Sequence, residues 1–222
     1  MFSKRLSITY YISKIEPMQI WEDRELLAST ISERLKGSVC REPRGESGSL
    51  MQSAVLVPIA LYAKKPALMF VLRSRDLKHH KGQIGFPGGI IEKEDASPLS
   101  AALREAEEEV GIKRDSVEIV GELPPTETVT GFFITPYVGL LKNEVELKKD
   151  SREIQDIFAV PIESFANGPD GSLEFWVLGK KFFVCSFFAD NRIIWGATAR
   201  IILNLFDKGL GFNLLKKKGV TS

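Results

Sequence analysis

The spacing of apolar positions changes several times along the chain, and each change marks an element. Leu26, Leu27, Ile31 and Leu35 recur at three and four residues, which predicts a helix over 20–35. Two β-branched runs follow, 53–62 and 67–73, and the link Ala63-Lys64-Lys65-Pro66 predicts a hairpin between them. Residues 76–85 form a polar connector containing His79 and His80. Helical spacing returns with Leu99, Leu103, Ala106 and Val110, which fall on one narrow stripe at about 100° per residue. Ser97 opens that helix with a hydroxyl at the N-cap, Pro98 takes the first helical position, and Gly111 supplies the stop. A strand over 117–123 is broken by Pro124-Pro125, and a strand over 132–141 carries Pro136, which predicts an edge or a bulge there. The segment 153–160 reads as a strand leading through Pro161 into a short helical turn at 162–166. After the turn cluster Asn167-Gly168-Pro169-Asp170-Gly171, the runs 175–178 and 181–188 predict a second hairpin about Gly179-Lys180. A closing helix over 198–206 directs Ile201, Ile202 and Leu205 inward.

Two strands, a helix, four strands and a helix predict an α/β protein, a mixed sheet with helices on both faces. Residues 1–50 read as an N-terminal extension with one helix and a flexible loop, 51–210 as the main domain, and 211–222 as a tail. The stretch through Ile8 and Ile12 stays open between a strand and an ordered arm, and the loop 36–49, rich in Gly, Ser, Arg and Glu, is the candidate linker.

With 222 residues, 44% of them hydrophobic, one substantial core is expected. A net charge of +1 provides no long-range field toward nucleic acid or a membrane, so neither is expected as a partner. A phosphorylated substrate would be met by local Lys and Arg and by metal. Cys40 and Cys185 stand in no metal or redox spacing, which fits a reducing compartment or carries no information. The longest apolar stretch, 54–63, is far short of the ~20 residues of a membrane span, and the N-terminus lacks a signal-peptide core. A cytoplasmic protein is the expectation, with a homodimer as the candidate assembly.

The chemistry is concentrated in residues 85–112. Glu105, Glu108 and Glu109 share an arc roughly opposite the apolar stripe, because i, i+3 and i+4 are neighbours on a helix. Like charges so placed repel by about 0.2–0.5 kcal/mol per pair when solvated. Such an arc fits a solvated face. It equally fits a hard-cation site, because Phe86-Pro87-Gly88-Gly89 precedes it with a tight backbone that lets carbonyl and N–H groups approach a ligand.

The stretch resembles the Nudix box: a Gly, five residues, Glu, seven residues, then Arg-Glu-x-x-Glu-Glu-x-Gly. Gly89, Arg104, Glu105, Glu108, Glu109 and Gly111 match its fixed letters. Asp95 stands where the generic box has Glu, with one extra residue before Arg104. Both departures resemble the coenzyme A pyrophosphatase branch of the Nudix hydrolases. So does the upstream signature of Arg73-Ser74, a basic Lys78 where Arg is usual, Gly82 and Phe86 to Gly89, although Met69-Phe70-Val71 replaces the usual Leu-Leu-Thr. Leu123-Pro124-Pro125, Val129-Thr130-Gly131, Thr135-Pro136 and Trp195-Gly196-x-Thr198 extend the likeness.

The resemblance implies a Nudix α/β/α sandwich and a metal-dependent hydrolase that cuts coenzyme A, its small-molecule substrate, to 3′,5′-ADP and 4′-phosphopantetheine. It implies Mg²⁺ or Mn²⁺ held by Glu105, Glu108, Glu109 and the Gly89 carbonyl, and catalysis by Glu105, Glu108, Arg104 and Glu153. Arg104 is expected to fix a carboxylate rotamer. By itself Glu153 also reads as a solvated acid beside Arg152 and Asp156. Arg73, Lys78, His80 and Lys81 precede the glycine loop as candidate phosphate contacts, and each also fits an ordinary surface residue. Phe132, Phe133 and Tyr137 could stack a base or fill the core. Another Nudix substrate, such as ADP-ribose or a dinucleotide, would use the same box. A non-catalytic Nudix module would have lost carboxylates that are present here. A Rossmann reading is disfavoured, because Gly85-x-x-Gly88-Gly89 lacks the GxGxxG spacing.

Overall fold

The computed structural model describes residues 20, 23–37, 50–76, 81–142, 145–177 and 180–214, without the side chains of 175, 177 and 180–183. The strand or ordered arm through Ile8 and Ile12, most of the linker loop, Gly179 and the tail beyond residue 214 lie outside that description.

The sheet grows from a turn tighter than the four-residue link suggested. Tyr62 pairs with Lys65, and Ala63 and Lys64 between them take φ of 49° and 67°, the left-handed turn that matches strand twist. β1 (Met51–Tyr62) and β2 (Lys65–Arg73) stay paired only as far as Ile59 opposite Leu68. Beyond that they part. β3 (Ile84–Gly85) pairs with β2 and β4 (Gly88–Ile90) with β1, so the glycine loop fills the gap between the two strands. The Leu56 N–H donates to Pro87 O at 2.9 Å, and Phe86 is buried with its ring stacked on Phe70 at 4.9 Å. A loop that the sequence shows only as punctuation is thus pinned in the middle of the sheet.

β7 (Phe132–Leu141) runs parallel to β1 and antiparallel to β5 (Val117–Glu122) and β6 (Thr126–Glu127), while β8 (Ile154–Pro161) takes the far edge of β2. β7 is therefore interior, against the edge or bulge expected at Pro136. The Pro136 carbonyl accepts from Leu123 N–H at 2.9 Å. Its missing N–H points the same way, toward 123–125, where β5 has ended and β6 has not begun. The two prolines that stop β5 accommodate the one inside β7.

Alternation along the strands feeds two layers. Leu56, Met69 and Val71 meet Leu103, Ala106 and Val110 of α2 (Pro98–Val110) on one face. Val57, Ile59, Leu68 and Phe70 meet Leu27 and Ile31 of α1 (Arg24–Leu35) and Ile201 and Ile202 of α3 (Gly196–Asn204) on the other. Each buried Leu, Ile, Val, Met or Phe among them contributes about 1.5–3 kcal/mol of transfer free energy, Ala106 less. The mixed sheet between helical layers is the expected α/β architecture, and the helix of the N-terminal segment is part of its core. The closing helix runs on as a π-helical turn, Leu205–Leu210.

A second sheet goes beyond the expected hairpin. β9 (Gly171–Val177) and β10 (Lys180–Ala189) are joined by β11 (Arg192–Trp195) across Asp190 and Asn191, with φ of 51° and 56°. Both residue types tolerate the left-handed region, so Asp190-Asn191 is a turn signal carried by the sequence. Directly after β11, Thr198 Oγ1 donates to Ile84 O at 2.9 Å, tying α3 to β3 of the glycine loop.

Candidate active site

α2 is built as its sequence predicts. Ser97 Oγ accepts the Ser100 N–H at 3.1 Å, Ser100 Oγ accepts the Ser97 N–H at 2.8 Å, and Gly111 closes the helix at φ 77°. The segment after β7 then wraps the helix end. Lys148 N–H donates to Val110 O at 3.0 Å and Asp150 N–H to Glu109 O at 2.9 Å, which satisfies otherwise orphaned carbonyls. Three residues later comes Glu153, whose carbonyl accepts the Ser74 N–H at 2.7 Å. A loop, a helix end and the end of β2 converge here.

The three helix carboxylates share an arc but not one environment, so a uniformly solvated face does not describe them. Side-chain exposure is 61% at Glu108, 17% at Glu105 and 3% at Glu109. Glu109 is directed to the split in the sheet, where its Oε2 accepts the Gly88 N–H at 3.0 Å and its Oε1 accepts from Arg73 Nη1 at 2.9 Å. Burial pushes its carboxyl up to about 7, against the pull of Arg73 and the Gly88 N–H, and Glu105 and Glu153 add to the rise. Glu105 is raised as well, first by burial, with Arg104 opposing and Glu108 and Glu153 contributing.

Glu105 lies directly against the glycine loop. A Cβ on Gly89 would stand 2.4 Å from Glu105 Oε1, so only glycine permits this approach. Arg104 holds the outer carboxylates. Its Nη1 donates to Glu105 Oε1 at 2.9 Å and to Glu108 Oε2 at 3.3 Å. Its Nε and Nη2 form a fork on Asp95 at 3.1 and 3.0 Å, and Nη2 also reaches Ile90 O at 3.3 Å. That fork keeps the Asp95 carboxyl below its ordinary range. Asp95 is thus the anchor of Arg104, a role that its place as a departure from the box did not reveal.

The site therefore gathers Gly89, Arg104, Glu105, Glu108, Glu109, Arg73 and Glu153. Arg73 Nη2 lies 3.6 Å from Glu153 Oε2, so this arginine is turned to carboxylates. Lys81 is exposed at the start of the glycine loop, and Lys78 and His80 lie outside the described residues. Glu127 is exposed on β6, and Phe133 and Tyr137 are buried in the core.

Among the described residues, no three acidic, His or Cys side chains already converge as a metal-ligating group. The carboxylate oxygens are engaged instead by arginines and a backbone N–H. The donor set still fits a hard divalent cation. It is made of oxygen alone, two of its carboxylates, Glu108 and Glu153, are open to solvent, and Glu105 fills the space beside the Gly89 backbone. No described helix is long and apolar enough to cross a membrane.

Comparison with known proteins places the sequence beside one family. The NUDIX domain family matches residues 51–176. The uncharacterized Nudix hydrolase NudL of Citrobacter koseri is 39% identical over 162 residues, 72% of this chain and 84% of that protein. NudL of Escherichia coli K12 is 38% identical over 155 residues, covering 69% and 80%. Among solved structures, an Ap4A hydrolase of C. elegans in a binary complex is similar over 50% of this chain and 80% of its own, with 18% identity and a TM-score of 0.44.

Proposed function

The chain belongs to the Nudix family and is a pyrophosphohydrolase, and we propose that its substrate is coenzyme A or a derivative of it. Cleavage of the diphosphate would give 3′,5′-ADP and 4′-phosphopantetheine, with the acyl group retained where one is present. Nudix hydrolases use divalent metal ions, and here the ion would be Mg²⁺ or Mn²⁺. The observation that carries the reading is the contact of the Gly89 backbone with the Glu105 carboxylate, inside a loop that matches the coenzyme A branch from Arg73-Ser74 through Phe86-Pro87-Gly88-Gly89.

Glu105, Glu108, Glu109 and the Gly89 carbonyl would hold the ion. When bound, it neutralises the diphosphate and lowers the pKa of the attacking water. The protein's own groups do the rest. Arg104 fixes the rotamers of Glu105 and Glu108 and is itself fixed by Asp95. Glu105 or Glu153 takes the water proton. Burial, with Glu108 and Glu153 adding to it, raises Glu105 above the ordinary glutamate range, which favours its taking a proton. In-line attack on one phosphorus then expels the other phosphoryl half, with positioning and electrostatics supplying most of the rate.

The test is incubation of the purified chain with CoA and Mg²⁺ or Mn²⁺, products read by mass spectrometry, beside ADP-ribose and a dinucleotide and with an EDTA control. Metal-dependent 3′,5′-ADP and phosphopantetheine support the proposal. Turnover of ADP-ribose or the dinucleotide, with CoA and its acyl forms intact, keeps the hydrolase and defeats the substrate assignment.

A further inference from the structure

Arg73 ends β2 on the face of Met69 and Val71, beneath α2. The ladder with β8 shifts register at this point. Leu72 faces Asp156 and Arg73 faces Ile154, so Gln155 is left unmatched. A bulge of this kind re-aims side chains. Here it accompanies an arginine with Nη1 2.9 Å from Glu109 Oε1 and Nη2 3.6 Å from Glu153 Oε2. The backbone is held as firmly: Arg73 N–H donates to Gln83 O at 3.0 Å and Ser74 N–H to Glu153 O at 2.7 Å. The remaining nitrogen, Nε, is buried and without a hydrogen-bond partner among the described residues. A guanidinium that grips a substrate phosphate needs nitrogens turned outward. This one faces two carboxylates carried by two different elements.

We infer that Arg73 is a positioning residue, holding Glu109 of α2 and Glu153 of the segment between β7 and β8 in one arrangement and leaving the substrate phosphates to other groups. The inference rests on the reading of this site as a metal-dependent diphosphate centre. It predicts that loss of Arg73 is felt in metal binding and kcat and not in substrate affinity.

The experiment uses the full chain with Arg73→Met and Arg73→Lys. Mn²⁺ binding is measured by electron paramagnetic resonance without substrate, and kcat and KM for CoA are measured at saturating Mn²⁺. Arg73→Met is expected to bind Mn²⁺ about 10–100-fold more weakly and to lose kcat. Its KM should stay within about twofold, the signature of a group that does not bind the ground-state substrate. Arg73→Lys should recover only part of the loss, because a point charge reaches one carboxylate where the fork reaches two. A KM raised about tenfold with Mn²⁺ affinity and kcat unchanged would overturn the inference. Should Arg73→Met fail to fold, the same split in Arg73→Lys decides. The Mn²⁺ titration needs no turnover, so a wild type that binds Mn²⁺ but spares CoA defeats only the substrate assignment, and the titrations of the variants still decide the role of Arg73. A wild type that binds no Mn²⁺ overturns both.

Discussion

Replacing Gly89 by alanine acts on the site through the Glu105 carboxylate. The new Cβ would stand 2.4 Å from Glu105 Oε1, 2.5 Å from its Cδ and 2.9 Å from Oε2. Non-bonded heavy atoms settle near about 3.5 Å, so the carboxylate has to retreat by roughly 1 Å. A displacement of that size at a reacting group costs on the order of 10²-fold in rate, which corresponds to about 2.7 kcal/mol of barrier. The atoms in the way are the far end of a flexible side chain, so the fold should lose less than about 1 kcal/mol. For a domain of this size that is a fall in Tm of no more than about 2–4 °C. Gly88→Ala provides the contrast. Its Cβ would meet Ala54 O at 2.4 Å and Val55 Cα at 2.6 Å, backbone that cannot step aside, at a φ of +155°. That variant should melt far below wild type. Initial rates at saturating Mn²⁺ and thermal melts of both variants make the comparison. Turnover within about twofold of wild type in Gly89→Ala would refute the placing of Glu105 in the reaction.

Arg104→Lys loses the fork on Asp95 and should lower kcat about 10–100-fold, with an unchanged rate counting against its role in holding Glu105. Glu108→Gln should lose most turnover while melting like wild type, because Glu108 lies on the exposed side of α2; near wild-type rates would remove it from the metal ligands. Glu109 is raised from 4.5 to about 7 in the folded chain, so the native state holds a proton that the unfolded chain releases. In EDTA, stability should therefore fall as pH rises from about 4.5 to about 7, and Glu109→Gln should flatten that slope in urea titrations. A slope of the opposite sign in the wild type, left unchanged by the substitution, would contradict the burial argument. Ser97→Ala removes half of the capping box and should cost about 1 kcal/mol, read as a fall in Tm of about 2–4 °C with kcat retained.

Much of this site was legible because its signals are local. Ser97, Pro98 and Gly111 bound α2 where the sequence places the bounds, and the stripe of Leu103, Ala106 and Val110 packs on the sheet. Periodicity could not separate Glu109 from Glu108. Both are acidic and adjacent, and what meets Glu109 is Arg73 from β2 and the Gly88 N–H from β4, both remote in sequence. Likewise Pro136 signalled an edge by composition, while the gap that admits it lies in the partner strand. β11 was missed because four residues carry little periodicity, although Asp190-Asn191 marked its turn. Charge and place before the glycine loop make Arg73 a candidate phosphate contact and say nothing of its carboxylate partners. Its partners depend on a register shift between β2 and β8 that no local pattern encodes.

The central claim is that the carboxylates of α2 facing the glycine loop carry diphosphate hydrolysis, and kcat of Glu105→Gln at saturating Mn²⁺ tests it most directly. The substitution keeps the shape and the acceptor for Arg104 but removes a carboxylate that can take a proton. A melt like that of the wild type with kcat reduced about 10²–10⁴-fold is the predicted result. A correctly folded Glu105→Gln that turns over at the wild-type rate would contradict the account.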